Sequence, residues 1–176
     1  MTGARFEFNP VTRITTGFIG QPGQRVFYLQ ARDAGGGELT LIVEKQQLEM
    51  LAAAIEQFLT ELQAKTPDLA EASAAYDAAA MQLHTPVDPA FRVGQLGLGY
   101  DQEHDFLVLV AQEILVEGRD PEATATARLF ATRSQMRALG QYGLTLVKQG
   151  RPVCGHCGQP IDPKGHFCPK RNGHKF

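Results

Sequence analysis

Three cysteines near the end of the chain have the type and spacing of a metal site. Cys154 and Cys157 are separated by two residues, and Cys168 follows after ten more. Structural zinc takes four ligands in a tetrahedral array, and a Cys-x-x-Cys turn supplies two thiolates at once. A zinc ribbon would place its fourth cysteine at position 171, where this chain has Arg171. The spacing therefore predicts one structural Zn²⁺ that is held by three cysteines and a histidine.

Two histidines compete for the fourth position. His166 lies two residues before Cys168, and residues i and i+2 of an extended segment share a face, so both side chains can reach one ion. His174 lies six residues after Cys168 and requires a wider second turn, whereas His156 projects away from the metal. The expected ligands are Cys154, Cys157, His166 and Cys168, with His174 as the alternative to His166. Four protein ligands leave no open position, which favours a structural role for the ion over a hydrolytic one.

The same end of the chain is basic. From Lys148 onward there are six Lys or Arg residues and one Asp, or +5, so the formal charge of −2 leaves about −7 for the rest. Lys170 and Arg171 lie beside Cys168, where a metal-bound turn would fix their direction. We expect a protein partner or an acidic ligand to bind this basic tail. Nucleic acid is less favoured, because the chain as a whole is slightly acidic.

A second candidate site is the glycine-rich segment "GFIGQPGQR" at residues 17–25. It lacks the Gly-Lys-Ser/Thr ending of a phosphate-binding P-loop and precedes a strand, so a type II turn centred on Pro22 and Gly23 is the better interpretation. Arg25 would be the anion ligand if the protein acts on a phosphorylated small molecule. Convergence of Arg25 with the acidic hairpin at residues 101–105 on one deep pocket would favour an enzyme. No Ser/His/Asp or Cys/His nucleophile set is apparent in the sequence.

The elements that must position these residues form two similar blocks. Strand patterns at 12–19, 25–32 and 39–44 precede a helix-period segment at 45–63, and strand patterns at 91–100, 105–117 and 124–131 precede a second one at 132–150. Residues 39–51 align with 127–139 at a constant offset of 88, through duplication or through the general similarity of strand-to-helix transitions. The sequence predicts an α+β fold, with an antiparallel sheet built from two strand-meander-plus-helix blocks and a zinc-ribbon-like knuckle at the C-terminus.

The predicted domains are an α+β core at residues 1–149 and a zinc-ribbon-like tail at 150–176. Within the core, residues 66–90 are rich in alanine and have only a thin apolar stripe. We expect a weakly packed helix there on a long connection, and limited proteolysis should first cut this segment.

The composition limits the class of protein. An apolar fraction of 43% and a charged fraction of 20% are ordinary for a globular domain, and the longest strongly apolar run has the length of a strand. The first ten residues have no apolar signal-peptide region, and an odd, clustered set of cysteines fits a metal site in a reducing compartment. The sequence thus predicts a cytoplasmic protein without a membrane span.

Three segments carry a family resemblance. The stretches "GQPGQRVFYLQAR", "VEKQQLEMLA" and "CGHCGQPIDPKGHFCP", the last followed by "NGH", resemble the bacterial DUF3090 family of conserved hypothetical proteins. The resemblance covers nearly the whole chain, except that residues 66–90 depart from the family pattern, and it supplies no catalytic residues. It implies proteins that are encoded near phosphatase-like and kinase-like neighbours.

The resulting expectation is a zinc-binding protein that serves as a non-enzymatic binding or adaptor module. The alternative is an enzyme or ligand-binding protein for a phosphorylated small molecule, with the "GQPGQR" loop as its site.

Overall fold

Seven strands and two α-helices make up the part of the chain that the structure, a computed structural model, describes, namely residues 3–149 without residue 22. The first block contains β1 (Arg5–Phe8), β2 (Val11–Ile19), β3 (Val26–Asp33), β4 (Glu38–Val43) and α1 (Lys45–Lys65). The second block contains β5 (Pro89–Asp101), β6 (Phe106–Glu113), β7 (Thr126–Thr132) and α2 (Arg133–Gln149), with a 3₁₀ turn at Pro121–Ala123 before β7. The predicted tail at 150–176 lies outside the described residues.

The strands form one mixed sheet in the order β1-β7-β6-β5-β4-β3-β2. β1 pairs with β7 and β4 pairs with β5 in parallel, and all other neighbours are antiparallel. The prediction of a purely antiparallel sheet was therefore wrong. Tight hairpins enforce antiparallel pairing only within each block, whereas β4 and β5 are joined through a helix and a long connection, which permits parallel pairing.

The two ends of this sheet are adjacent, because only Asn9 and Pro10 separate β1 from β2 along the chain. The sheet must curl until its first and last strands meet. Phe8 of β1 pairs with Leu129 of β7, just as Phe91 of β5 pairs with Leu41 of β4. β1 and β2 together therefore play the part that the single strand β5 plays in the second block. β1 was not predicted, since four residues with alternating charge give little strand signal.

Each helix begins with a capping box in which the N-cap and third helical residues exchange hydrogen bonds. In α1, Glu44 and Gln47 form it, and the backbone N–H of Glu44 donates to Gln47 Oε1 at 2.8 Å. In α2, Thr132 N–H donates to Gln135 Oε1 at 2.9 Å, and Gln135 N–H donates to Thr132 Oγ1 at 3.0 Å. Thr132 and Gln135 each lie 88 residues after their counterparts Glu44 and Gln47. The offset of 88 found in the sequence therefore relates residues with the same structural role.

The two blocks are tied together by the same glutamines. Gln47 Nε2 donates to the carbonyl of Val93 in β5 at 3.0 Å, and Gln135 Nε2 donates to the carbonyl of Thr12 in β2 at 3.4 Å. α1 thus binds β5 of the second block, and α2 binds β2, the counterpart of β5 in the first block. This reciprocal exchange favours a true structural duplication.

The core lies between one face of the sheet and the two helices, which both cover that face. The helices cross where a Cβ on Gly140 would lie 3.3 Å from the Cα of Ala52, a residue 88 positions earlier. The most deeply buried apolar side chains come from both blocks: Leu29, Leu41, Ile55, Leu107, Leu109, Leu129, Met136 and Leu139. Each fully buried side chain of this size contributes roughly 1.5–3 kcal/mol.

Residues 66–88 form no helix, contrary to the sequence-based expectation. They run as an extended segment with isolated turns, and we call this segment the strap. Neither α1 nor α2 is long and apolar enough to cross a lipid bilayer.

Candidate functional site

The residues predicted to hold zinc and to bind a partner cannot be placed on the fold. Cys154, Cys157, His166, Cys168 and the alternative ligand His174 lie outside the described residues, as do Lys170 and Arg171. Of the predicted binding residues, only Arg25 is described.

Arg25 follows the predicted turn between β2 and β3. The N–H of Gln24 donates to the carbonyl of Gln21 at 2.9 Å, and Gly23 has φ of +87°, as the third residue of a type II turn requires. The guanidinium of Arg25 lies 4.7 Å from the ring centroid of Phe18. Its Nε is buried and has no hydrogen-bond partner among the described residues.

The acidic hairpin between β5 and β6 is organised around its own backbone. Asp101 Oδ1 accepts the N–H groups of Glu103 and His104, and Asp101 Oδ2 pairs with His104 Nδ1 at 2.9 Å. These contacts lower the pKa of Asp101 and raise the pKa of His104. The ligand atoms of these three residues lie within 4.8 Å of one another, which would suit a cation, but both Asp101 oxygens already hold the turn.

Asp105 fastens this hairpin to α2. Its carboxylate accepts Nε and Nη2 of Arg133 at 2.9 and 3.1 Å and the hydroxyl of Tyr100 at 2.7 Å. The bond from Arg133 is the main cause that lowers the pKa of Asp105, while burial raises the pKa of Tyr100. No hydrogen bond or ion pair between described residues links the hairpin to Arg25. The two candidates for an anion-binding enzyme site therefore belong to separate hairpins.

Two arginines four residues apart on α2 hold the beginning of the strap. Arg133 Nη1 donates to the carbonyl of Ala70 at 2.6 Å, and Arg137 Nη1 donates to the carbonyl of Ala72 at 2.7 Å. The other nitrogens of Arg137 bind the carboxylate of Glu56 on α1 at 3.0–3.2 Å. Each guanidinium thus binds one carboxylate and one strap carbonyl, so its charge is neutralised and its donors are largely used.

A third arginine holds the end of the strap. Arg13 on β2 donates from Nε to the carbonyl of Ala80 at 3.0 Å and from Nη2 to the carbonyl of Gln82. Burial lowers the pKa of this guanidinium, although three hydrogen bonds compensate for the lost water. Gln30, 1% exposed, makes a reciprocal pair with the backbone of His84. The strap is therefore held by side chains of the core.

These contacts explain why the alanine-rich segment is not helical. A helix would use its carbonyls internally, but Arg13, Arg133 and Arg137 bind four of them. Charge-assisted bonds are stronger than bonds between neutral groups and outweigh the modest helix propensity of alanine.

A polar cavity of about 510 Å³ lies between α1, α2 and the start of the strap. Its lining includes Glu56, Thr60, Gln63, Glu71, Arg133 and Arg137. Thr60 Oγ1 donates to the carbonyl of Glu56 at 2.9 Å, and both arginines are engaged as described. The lining contains the hydroxyl of Thr60 and the carboxylates of Glu56 and Glu71, but no Cys, Ser, Lys or His. The cavity can admit water or a small polar molecule.

Sequence reasoning missed all three strap-binding arginines. The spacing of Arg133 and Arg137, one turn apart on a predicted helix, places both on one face and was the available signal. Nothing in the sequence indicated that backbone carbonyls of residues 70–82 would be their partners.

Comparison with known proteins identifies one relationship. A family model described as "Protein of unknown function (DUF3090)" matches residues 6–168, which includes Cys154, Cys157 and Cys168. No curated protein and no solved structure matches the chain.

Proposed function

The chain belongs to the DUF3090 family, and we propose that it is a non-enzymatic binding or adaptor module that carries a structural zinc site. The main support for this proposal is that the charged groups around the strap bind one another and the backbone of the strap. Arg13, Arg133 and Arg137 hold the strap, and Asp105 and Glu56 neutralise two of them. The polar cavity beside them therefore serves the architecture of the fold. We assign recognition to the basic tail, with Lys170 and Arg171.

The proposed zinc site contains Cys154, Cys157, Cys168 and His166, or His174 in place of His166. Three thiolates and one imidazole suit Zn²⁺ and complete a closed tetrahedral shell. Structural zinc in small knuckles contributes on the order of 10 kcal/mol of binding free energy, so loss of one ligand should weaken retention by orders of magnitude.

Elemental analysis tests the metal. Reduced, freshly purified protein should contain about one zinc per chain, as one tetrahedral site requires. Cys154→Ser should lose it while the circular dichroism of the core persists, because the described core has its own capped helices and buried sheet face. His156→Ala is the matched control and should retain zinc. Metal-free wild-type protein would contradict the proposal.

The identity of the fourth ligand follows from a paired comparison. His166→Ala should release zinc rapidly to a chelator, and His174→Ala should release it only slightly faster than wild type. The opposite ranking would assign the position to His174.

The adaptor role is tested through charge. Partners that co-purify with the native protein are identified by mass spectrometry, and their binding is measured against a double variant, Lys170→Glu with Arg171→Glu. Binding should weaken, become less sensitive to salt and leave the zinc content unchanged. The charge-matched control is Arg32→Glu with Lys65→Glu, two exposed positions of the core. Equal binding by both double variants would remove the tail from the function.

A second function is supported by Arg25. A buried guanidinium nitrogen without a partner is uncommon, and the "GQPGQR" loop would place it toward an anion such as the phosphate group of a small molecule. Titration with inorganic phosphate, followed by the backbone amide NMR signals of Gly23 and Gln24, tests this alternative. A saturable shift of these signals that Arg25→Lys abolishes and Arg32→Lys preserves would favour it over the adaptor role.

A further inference from the structure

The two blocks differ in one respect, namely what covers the sheet face opposite the core. β2 and β5 each have one irregularity in strand pairing, which follows Val11 in β2 and Val93 in β5. Aligning these two irregularities identifies the equivalent residues of the two strands. This places Gly17 of β2 and Gly99 of β5 at equivalent positions, 82 residues apart. Each is paired across its hairpin, with Tyr28 and Val108 respectively.

In the first block the strap covers this face. A Cβ built on Gly17 would lie 2.6 Å from Cγ of Leu83 in the strap. Thr15, which has no exposed surface, donates its hydroxyl to the carbonyl of Met81. Glycine at position 17 is thus required by the close approach of the strap.

In the second block no described residue covers the equivalent face. A Cβ on Gly97 or Gly99 would meet no atom of the described residues within 4 Å. A cavity of about 240 Å³ lies beside Gly97 and is lined by Gln95, Leu96, Gly97, Val110 and Gln112. β5 pairs with β4 only through residues 89–92, so its remaining edge on that side has no strand partner among the described residues.

The open face continues into a groove between α1 and β5. This groove has a volume of about 410 Å³, its wall is mainly apolar, and it includes Met50, whose surface is 71% exposed. In the first block α2 packs closely on β2, since a Cβ on Gly143 would lie 3.4 Å from Thr16. The equivalent residues are Ile55 in α1, 88 positions before Gly143, and Leu98 in β5, 82 positions after Thr16. Both have larger side chains than their counterparts Gly143 and Thr16, and a groove lies between α1 and β5.

The path of the strap shows how a chain segment reaches such a face. After α1 ends, the strap passes beside α2, where Ser73 N–H donates to Ser134 Oγ at 3.0 Å and Tyr76 packs edge-on to Tyr142 with centroids 5.3 Å apart. It then crosses to β2 and β3. Tyr142 is equivalent to Ala54, which lines the groove beside α1. A segment that followed α2 by the same route would therefore enter the groove first and then cover the open face.

We propose that the tail, residues 150–176, binds in the groove between α1 and β5 and covers the open face of the second block, as the strap covers the first. The strap uses 19 residues, 66–84, to travel from its helix to the far side of the sheet, and the tail has 27. The tail carries five Lys or Arg residues and one Asp, or +4, and Glu49 on the adjoining exposed side of α1 is an acidic counterpart. A contiguous apolar wall, such as that of this groove, is typical of an interaction site.

Photocrosslinking of the full-length protein tests this proposal independently of the zinc content. The photoreactive residue p-benzoylphenylalanine replaces Met50 or Gln112, both exposed, and as a control Gln102 on the hairpin turn. Position 50 should crosslink to the middle of the tail, near residue 164 (76 plus 88), and position 112 closer to its end, near residue 172 (84 plus 88). Position 102 should give no tail crosslink.

A mixture of ¹⁵N-labelled and unlabelled protein identifies the source of each crosslinked peptide. Peptides with a single isotope composition join residues of one chain and support the proposal. Mixed-isotope peptides would show that a second copy occupies the groove and would overturn it. Crosslinks from position 50 that reach only residues of the core would also overturn it. So would crosslinks from position 50 to tail residues that lie C-terminal to those crosslinked from position 112. Circular dichroism confirms that each variant is folded.

Discussion

At the residue scale, the arginines of this fold act as connectors between backbone and carboxylate. Arg137 joins three elements, because it binds Glu56 of α1 and the carbonyl of Ala72 in the strap while it belongs to α2. Its side chain is 25% exposed, so water compensates only partly when a partner is lost. The planar guanidinium is suited to this use, since it can bind a carboxylate through two donors and still offer a third.

Arg137→Gln should lower the free energy of unfolding by roughly 1–3 kcal/mol, since it leaves a carboxylate and a carbonyl without their charged donor. Urea denaturation at neutral pH measures the loss. Arg92→Gln is the control, because the ion pair of Arg92 with Glu44 is solvated on both sides, with 47% and 61% exposure. Such a pair contributes about 0–1 kcal/mol. Equal effects of the two substitutions would show that Arg137 does not hold the strap.

The pair of Asp105 and Arg133 should make stability depend on acid. The folded pKa of Asp105 lies below the ordinary value of 3.8, so its stabilising effect is complete above that pH and is lost as the pH falls through the lower folded pKa. Melting temperatures measured from pH 6 to pH 2.5 should fall less steeply for Asp105→Asn than for wild type. Arg133→Gln should reduce the steepness in the same way, because it removes the main cause of the shift. An unchanged slope in both variants would contradict this account.

At the element scale, Gly17 and Gly99 occupy equivalent positions in the two blocks but have different surroundings among the described residues. Gly17→Ala should destabilise the protein by about 1–3 kcal/mol, since its new methyl group would collide with Leu83 and displace the strap. Gly99→Ala should cost less than Gly17→Ala, because no atom of the described residues lies within 4 Å of its new methyl group and alanine loses less entropy than glycine in a strand. Thermal denaturation measures both changes in stability. A loss at Gly99 as large as the loss at Gly17 would show that a segment outside the described residues approaches Gly99 as closely as Leu83 approaches Gly17.

The strap changes the expectation for proteolysis. Its sequence predicts early cleavage within residues 66–89, but three arginines hold its backbone and Met81 is 9% exposed. Protease sites near residues 78–84 should therefore be resistant in wild type and become sensitive in Arg13→Ala, since Arg13 binds two carbonyls there. Mass spectrometry of early fragments tells the two cases apart. Early cleavage near these residues in wild type would show that Arg13 does not hold this part of the strap firmly.

Much of the element structure could be predicted, because it depends on local patterns. Helix α1 begins at Lys45 as predicted, and the β-branched and aromatic runs of β2 and β3 give their strands to within a residue or two. The strap could not be predicted. Alanine-rich segments favour helix locally, and only tertiary bonds from Arg13, Arg133 and Arg137 decide otherwise. The predicted strand at 105–117 ends earlier, at Glu113, where Ile114 N–H turns to bind the carbonyl of Arg92.

At the scale of the whole molecule, the similarity of the two blocks could be predicted from the sequence, but their assembly could not. The offset of 88 identified equivalent residues in β4 and β7. The parallel pairing of β1 with β7 and of β4 with β5 depends on how the two blocks pack together in the sheet. No local sequence pattern encodes that arrangement. The zinc ligands predicted at the C-terminus lie beyond the described residues, and their assignment remains a prediction. The turn before Arg25 was predicted correctly, and the role of Arg25 as an anion ligand stays a prediction. The three arginines that hold the strap were not predicted.

Phe8 should be as important as a central core residue, although it stands near the N-terminus. It pairs with Leu129 and is 9% exposed, so it helps to join the two ends of the sheet. Phe8→Ala should cost about 3–5 kcal/mol, whereas Val26→Ala, at an exposed strand position, should cost less than about 1 kcal/mol. Chemical denaturation provides the comparison. A small effect of Phe8→Ala would show that β1 contributes little to the closure of the sheet.

The position of β1 also has a consequence for synthesis on the ribosome. Its partner β7 is almost the last strand made, and at about 5–20 residues per second the 121 residues from Glu7 to Arg128 take roughly 6–24 s to emerge. During that interval the nascent chain carries an unpaired strand that could join a neighbouring polypeptide. Arg5 and Glu7, both exposed, place opposite charges along it, and charged side chains are a common protection of such edges. Of the described strands, the first to leave the ribosome is thus among the last to pair.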